Sequence, residues 1–191
     1  MKEKLLKGRM LKKVVSFVLA LAMVLSLMPS MSMEVKADED TNYLTFTAEE
    51  ARSTVTLNYN SGSNVMIKVS STQDTIEGTA ATSTDWQSYN KNTTIVLTNV
   101  NDTVSFKGTG VTTDGSNHFT MTGKIAASGS VGTLGSCGNR SYESMFEGCT
   151  SLTKAPTLPA TTLAEFCYWN MFKGCTSLEA APTLPATKLA K

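Results

Sequence analysis

Histidine is nearly absent from this chain of 191 residues, and both excess charge and clustered acids are missing. The single histidine, His118, cannot build a multi-histidine metal site, and a lone histidine near a strand start is more often structural than catalytic. A formal net charge of +1 provides no basic face for nucleic acid. Asp102 and Asp114 each stand alone in a turn, which is too few acids for a calcium loop. We therefore expect no enzyme activity, cofactor, metal site or nucleic-acid partner.

The first 37 residues have the pattern of an export signal. Six lysines and arginines precede an apolar run, Val14–Met28, and small residues end the segment at Val35–Ala37. The run is shorter than the roughly 20 residues that span a membrane. We therefore predict a signal peptide at residues 1–37, a mature chain beginning near Asp38, and no transmembrane anchor after cleavage. That mature chain carries ten basic and fourteen acidic residues, a net charge of −4, and is expected to be secreted, with possible attachment to the cell surface.

The middle of the chain, residues 42–127, is rich in Thr, Val, Ser, Asn and Gly and alternates apolar with polar side chains. Short alternating runs separated by turn formers predict a small antiparallel β-sandwich-like module. Residues 70–84 are predicted to form a longer loop. The expected strands are Tyr43–Thr47, Thr54–Tyr59, Asn64–Val69, Thr93–Val100, Thr103–Gly108 and His118–Ile125.

Three aromatic residues are candidates for ligand contact. Trp86 and Tyr89 are close enough in sequence to form a platform for a sugar, although such residues more often anchor the core or edge of a sandwich. Trp169 is the third candidate. Loss of glycan binding in Trp86→Ala would separate a carbohydrate-binding module from other binding functions.

The C-terminal part of the chain contains two copies of a sequence repeat. Of the 21 positions shared by residues 145–165 and 171–191, 16 are identical, and the five differences are almost all charged or polar. A fixed interior with a variable surface predicts stacked coils of a solenoid. The expected repeat core comprises Met145, Phe146, Cys149, Leu152, Leu158, Leu163, Cys167, Met171, Phe172, Cys175, Leu178 and Leu184.

Each repeat is predicted to contain a very short strand and a short helix. Prolines 156 and 159 limit the strand to about Ala155–Leu158. The four-residue spacing of Leu163, Cys167 and Met171 is helical. Thr162 and Glu165 fit an N-terminal capping box, and Gly174 fits a left-handed residue after the last turn.

The motif "MF.GCTSL…AP.LPAT.LA" resembles the 26-residue repeat of BspA-like bacterial surface proteins, and the β segment resembles the module that precedes such arrays. The resemblance implies an extracellular protein that binds host or microbial surface molecules, protein or glycan, without catalytic residues. It also implies the arrangement of a β-sandwich-like module, a lead-in coil at residues 128–144, and leucine-rich repeats at residues 145–191. Two alternatives stay open: a carbohydrate-binding module, and the accessory region of a larger secreted enzyme.

The four cysteines allow a disulfide framework, as in many exported proteins. Cys149 and Cys175 occupy the same repeat position, and equivalent side chains in stacked coils point the same way rather than at each other. The sequence therefore favours buried free thiols. Because the second repeat ends at Lys191, where another helix is expected, the chain is predicted to be a fragment of a longer array. Its uncovered last coil is then a possible site of self-association.

Overall fold

The structure is a computed structural model that describes residues 42–71 and 85–189. The predicted signal peptide and most of the predicted loop at residues 70–84 lie outside these ranges. The described part is mostly β, as predicted, and contains no helix able to span a membrane. Its strands are β1 (Leu44–Ala48), β2 (Ser53–Leu57), β3 (Ser61–Ser70), β4 (Gln87–Ser88), β5 (Thr94–Leu97), β6 (Thr103–Thr112), β7 (Phe119–Thr122), β8 (Ile125–Ser128), β9 (Leu152–Lys154), β10 (Thr162–Leu163) and β11 (Lys188–Leu189).

Two sheets pack around one core. The larger has the strand order β4-β3-β6-β1-β8-β9, and the smaller has the order β5-β2-β7. Alternation along each strand decides which side chains face inward: in β1, Leu44, Phe46 and Ala48 are buried and the two threonines between them are not. Phe46 contacts Phe119 of the smaller sheet, with ring centroids 4.9 Å apart. This arrangement of the two sheets places β7 and β8 next to the repeats.

One predicted strand is interrupted. The alternating run His118–Ile125 forms two strands in different sheets, separated by Gly123. Gly123 has a φ of +79°, and a Cβ at this position would lie 2.4 Å from the Ser53 hydroxyl oxygen. Only glycine satisfies both conditions. The chain therefore turns here and crosses from one sheet to the other.

The predicted helix in the repeat is wrong. Residues 165–174 form successive turns, in which alternate N–H groups donate to the carbonyl three residues earlier, as Trp169 does to Phe166. Every fourth residue has positive φ: Phe166 at 56°, Asn170 at 54° and Gly174 at 78°. An apolar residue every four positions suits this turn ribbon as well as it suits a helix, so the spacing alone did not distinguish them.

The predicted strand at Ala155–Leu158 is also displaced. The strand in this part of the repeat is β9, Leu152–Lys154, which pairs parallel with β8. It ends just before Pro156, because proline has no N–H for the ladder. Thr157 makes only an isolated bridge to Ser130.

In the structure each copy of the repeat begins with its turn ribbon, so that residues 139–164 form the first copy and residues 165–189 the second. The two copies lie side by side and in register. The N–H of Arg140 donates to the carbonyl of Glu165, and the N–H groups of residues 142, 144, 146 and 148 donate likewise to the carbonyls of residues 167, 169, 171 and 173. Thr162 of β10 pairs with Lys188 of β11, its equivalent in the second copy. Positive φ recurs in the same register, at Arg140, Ser144 and Gly148 in the first copy.

The backbone hydrogen bonds between the two ribbons all run one way. N–H groups of the first copy point towards the second, and carbonyls of the second copy point back. The equivalent N–H groups of the second copy therefore point away from the first. Within the described ranges these amides donate no hydrogen bond; they belong to Phe166, Tyr168, Asn170, Phe172 and Gly174.

The other side of the first copy is covered by the β module. The N–H of Phe119 donates to Met145, and that of Ile125 donates to Ser151. The Phe119 ring stacks on Phe146 at 5.3 Å, and Phe146 stacks on Phe172 at 5.4 Å. The segment that covers the first copy consists of β7 and β8, and β8 extends past residue 127, the predicted end of the β module. The aromatic stack links this segment to both copies through a single core cluster.

Burial of the predicted repeat core differs between the first and the second copy of the repeat. Leu158 is 6% exposed, whereas its equivalent Leu184 is 48% exposed, so assigning Leu184 to the core is wrong. No described residue packs outside the second copy, and the same side chain at the same repeat position therefore meets solvent there. Buried members are Met145, Phe146, Cys149, Leu152, Leu158, Cys167 and Met171; half-buried members are Leu163, Phe172, Cys175 and Leu178.

The cysteines divide into two pairs. Cys149 and Cys175 are free thiols, as expected, although Cys175 is only half-buried. Each donates to the carbonyl of a phenylalanine in the preceding layer, at 3.1 and 3.0 Å respectively. Cys137 and Cys167 form a disulfide with Cα atoms 5.7 Å apart, so the expectation of free thiols is wrong for them. The position equivalent to Cys167 one repeat earlier is Ser141, and Cys137 lies outside the repeat pattern. Comparison of the two copies therefore could not predict that Cys137 and Cys167 pair.

Candidate functional site

Two large aromatic side chains lie exposed on the turn ribbon of the second copy. Phe166 is 40% and Trp169 is 50% exposed, and their ring centroids are 5.6 Å apart in an edge-to-face arrangement. Both belong to one turn, closed by the hydrogen bond from the N–H of Trp169 to the carbonyl of Phe166. Cys167, between them, is buried and tied to Cys137. The disulfide fixes the turn through the buried Cys167, while the two rings are exposed; we call these two rings the aromatic pair.

A charged pair lies directly beside the aromatic pair. Arg140 and Glu143 form an ion pair with nitrogen and oxygen 2.7 Å apart. The Arg140 guanidinium also lies over the ring of Phe166, 4.5 Å from its centroid. Arg140 and Glu143 are the positions equivalent to Phe166 and Trp169 one repeat earlier. Stacking of the two copies therefore brings a charged pair and an aromatic pair into contact.

The charged pair forms one wall of a polar pocket of about 410 Å³. Its remaining walls come from β6, the turn after β6 and the start of β3, and the lining residues are Asn60, Thr112, Thr113, Asp114, Asn139, Arg140 and Glu143. No aliphatic side chain lines it. Arg140 lines the pocket and also lies over the ring of Phe166, so it connects the pocket with the aromatic pair.

Hydrogen bonds fix the far wall of the pocket. The Asn60 amide donates to the carboxylate of Asp114 at 2.8 Å, and the Asn117 amide donates to Asn60 at 2.6 Å. Asp114 also accepts the N–H groups of Ser116 and Asn117. The Asn60 amide, assisted by these N–H groups, holds the pKa of Asp114 below its usual range. The pocket therefore contains an ionised carboxylate in a set orientation at neutral pH.

The earlier aromatic candidates lie elsewhere. Tyr89 is 5% exposed, and its hydroxyl oxygen lies 2.8 Å from the carbonyl oxygen of Thr93 and 2.9 Å from that of Leu57, and accepts the N–H of Leu57. Burial raises the pKa of Tyr89 to about 12. The role supported for Tyr89 is thus that of a core anchor, with no ring face available to a ligand.

Trp86 is half-buried and already has partners on its ring. Tyr43 meets it edge-to-face at 4.6 Å, and the Lys107 ammonium lies 4.1 Å from its ring centroid. A ligand would have to displace the lysine from that face. Of the three candidates, Trp169 is the exposed one, and its partner Phe166 contacts Arg140 of the pocket.

Other features of the described part carry less chemistry. His118 is half-buried, and its Nδ1 lies 3.1 Å from the carbonyl oxygen of Asp114. No group of three or more His, Cys, Asp or Glu side chains there has the arrangement of a metal site. A larger groove of about 600 Å³ follows the seam between residues 153–158 and 179–185, lined mainly by alanine, proline and threonine. Its walls are the matching faces of successive repeats and bring few charged groups together.

Sequence reasoning identified Trp169 but missed its neighbours. A usable signal was present: the register of the repeat places Phe166 beside Arg140 and Trp169 beside Glu143. Asn60 could not be found in this way, because its position in the site depends on the antiparallel pairing of β3 with β6. No family model, curated protein or solved structure matches this chain.

Proposed function

We propose that this chain is an exported, non-enzymatic binding protein that engages ligands on host or microbial surfaces. Its resemblance to BspA-like repeat proteins and its predicted signal peptide support export and binding. The in-register packing of the two copies supports the interpretation of the repeat as successive coils of a leucine-rich-repeat solenoid. The β module is rigidly joined to these coils by a shared core and presents the polar pocket beside them.

The observation that carries the proposal is the aromatic pair with its charged neighbours. A large exposed ring costs solubility unless it is used, and tryptophan and arginine dominate the energetics of binding surfaces. Here Trp169, Phe166 and Arg140 form one contiguous patch, and the first two are half exposed. The chain has only two tryptophans, and the other is covered by Lys107.

The test compares the secreted chain with Trp169→Ala in binding to extracellular-matrix proteins, bacterial cells and glycans. Loss of a central aromatic contact costs at least about 2 kcal/mol, which is a roughly 30-fold weaker affinity. Trp86→Ala is the matched control, because it removes the same side chain at a half-buried site. Binding that is equally strong in both variants would show that the aromatic pair is not the binding surface. Retention of residues 14–28 in the secreted chain would refute the signal cleavage.

A further inference from the structure

We propose that the aromatic pair and the polar pocket together form one binding site for a neutral oligosaccharide. This inference rests on the proposed binding function and assigns its ligand class. The site consists of an exposed tryptophan, a second ring set against it, and a pocket of planar hydrogen-bonding side chains directly beside them.

The aromatic pair matches the apolar part of a sugar. Pyranose rings present flat C–H faces, which lose water favourably against an aromatic ring. The interplanar angle between Phe166 and Trp169 is 62°. The exposed Trp169 face can therefore carry one sugar unit while the Phe166 edge limits how far that unit slides. Arg140, packed on Phe166, leads from the rings into the pocket.

The pocket matches the hydroxyl groups. Carboxylates accept hydrogen bonds from hydroxyls, and guanidinium donates hydrogen bonds to them. Because Oδ1 of Asp114 already accepts the N–H groups of Ser116 and Asn117, a sugar hydroxyl would bind at Oδ2, which accepts the Asn60 amide. Asp114 supplies such a group from the far wall, and Arg140 and Glu143 supply the others from the wall that they form together. Asp114 is held by Asn60, and Glu143 is held by Arg140, before any ligand arrives. A pocket of about 410 Å³ also lies within the range of sites for small molecules, roughly 300–1,000 Å³.

The charge of the pocket favours neutral ligands. Its lining includes two carboxylates and one guanidinium, and that guanidinium is already paired with Glu143. A phosphate, sulfate or uronate would face the uncompensated Asp114 carboxylate, whose low pKa keeps it charged. Like charge at close range disfavours binding. A neutral glycan meets no such repulsion and can use the carboxylates as acceptors.

The experiment uses Trp86→Phe, which leaves Trp169 as the single tryptophan of the secreted chain. Its fluorescence is followed during titration with cellohexaose, mannohexaose, chitohexaose and, as an acidic control, oligogalacturonate. We expect a saturable change with at least one neutral hexasaccharide and none with the acidic one. Calorimetry should show at least tenfold weaker binding in both Trp169→Ala and Asp114→Ala. Unchanged thermal melting of each variant would show that the fold is intact.

Three outcomes would overturn the inference. One is tighter binding of oligogalacturonate than of every neutral glycan. Another is glycan binding that survives both Trp169→Ala and Asp114→Ala. A third is no saturable change with any neutral hexasaccharide while binding to a surface protein is lost in Trp169→Ala; the inference then fails but the proposed function stands. If no ligand of either kind depends on Trp169, both fail.

Discussion

Truncation of the same leucine in the two copies of the repeat should have unequal effects on stability. Leu158→Ala removes a side chain that is 6% exposed, whereas Leu184→Ala removes its equivalent, which is 48% exposed. Leucine-to-alanine changes in a packed core cost about 2–5 kcal/mol, because the lost transfer free energy is joined by a cavity term. For a side chain that is half in water, the transfer term is halved and the cavity is open to solvent. We therefore expect Leu184→Ala to cost under about 1 kcal/mol.

Urea denaturation of the secreted, oxidised chain measures the difference. With a slope of about 2 kcal/mol per molar urea, a gap of roughly 2 kcal/mol moves the midpoint by about 1 M between the two variants. Both proteins should be measured at several concentrations, so that association through the second copy becomes visible. Equal losses at low concentration would refute the assignment of the second copy as an uncovered layer. Equal losses only at high concentration would show that another molecule covers it.

Three further predictions concern the contacts between layers. Reduction of the Cys137–Cys167 disulfide, or Cys137→Ser, should lower the free energy of unfolding by about 3–4 kcal/mol for a sequence separation of 30, measured by denaturation with and without reductant; a change near zero would contradict it. Glu147→Lys places a second cation beside Lys173, whose nitrogen now lies 2.7 Å from the carboxylate, and should lower the urea midpoint only slightly, with recovery in the double exchange Glu147→Lys/Lys173→Glu; failure to recover would show that the pair does not interact. Burial raises the pKa of the Cys149 thiol to about 12, so the folded state retains this proton longer than the unfolded state. The contribution of the protonated Cys149 thiol to the free energy of unfolding is therefore complete below about pH 8.5 and is lost as the pH rises towards 12. Thiol titration with Ellman's reagent at about pH 8 should find Cys149 unreactive until the chain unfolds.

The sequence predicted features that depend on local alternation or on repetition. The strands around Phe46 and Val104 were predictable because inward and outward side chains alternate, and the repeat period was predictable because identical residues recur. The ribbon from Phe166 to Gly174 was not, since a four-residue spacing is shared by helices and by turns with periodic positive φ. The split at Gly123 depends on the approach of Ser53, which lies far earlier in the chain.

The candidate site was predictable only in part, for the same reason. Trp169 was identifiable as an aromatic residue at a variable position of a repeat. The contact of its neighbour Phe166 with Arg140 follows from the period once stacking is assumed. The pocket additionally needs Asn60 and Asp114, which meet because β3 pairs antiparallel with β6 and the N–H of Asn60 donates to the carbonyl of Thr112 at the end of β6. Such long-range pairing has no local signal in a single sequence.

The one-way backbone hydrogen bonds between the two turn ribbons give this ribbon stack a polarity. Its outer edge presents five amide donors, at residues 166, 168, 170, 172 and 174, and no described carbonyl of that ribbon is offered beside them. Two such edges brought together by a two-fold axis would set donors against donors. The carbonyls that could accept, at residues 165, 167, 169, 171 and 173, are already occupied by the first copy. The edge of an ordinary β-sheet offers donors and acceptors alternately and can therefore pair with the same edge of a second molecule. This ribbon edge offers only donors, so it cannot form such a pair.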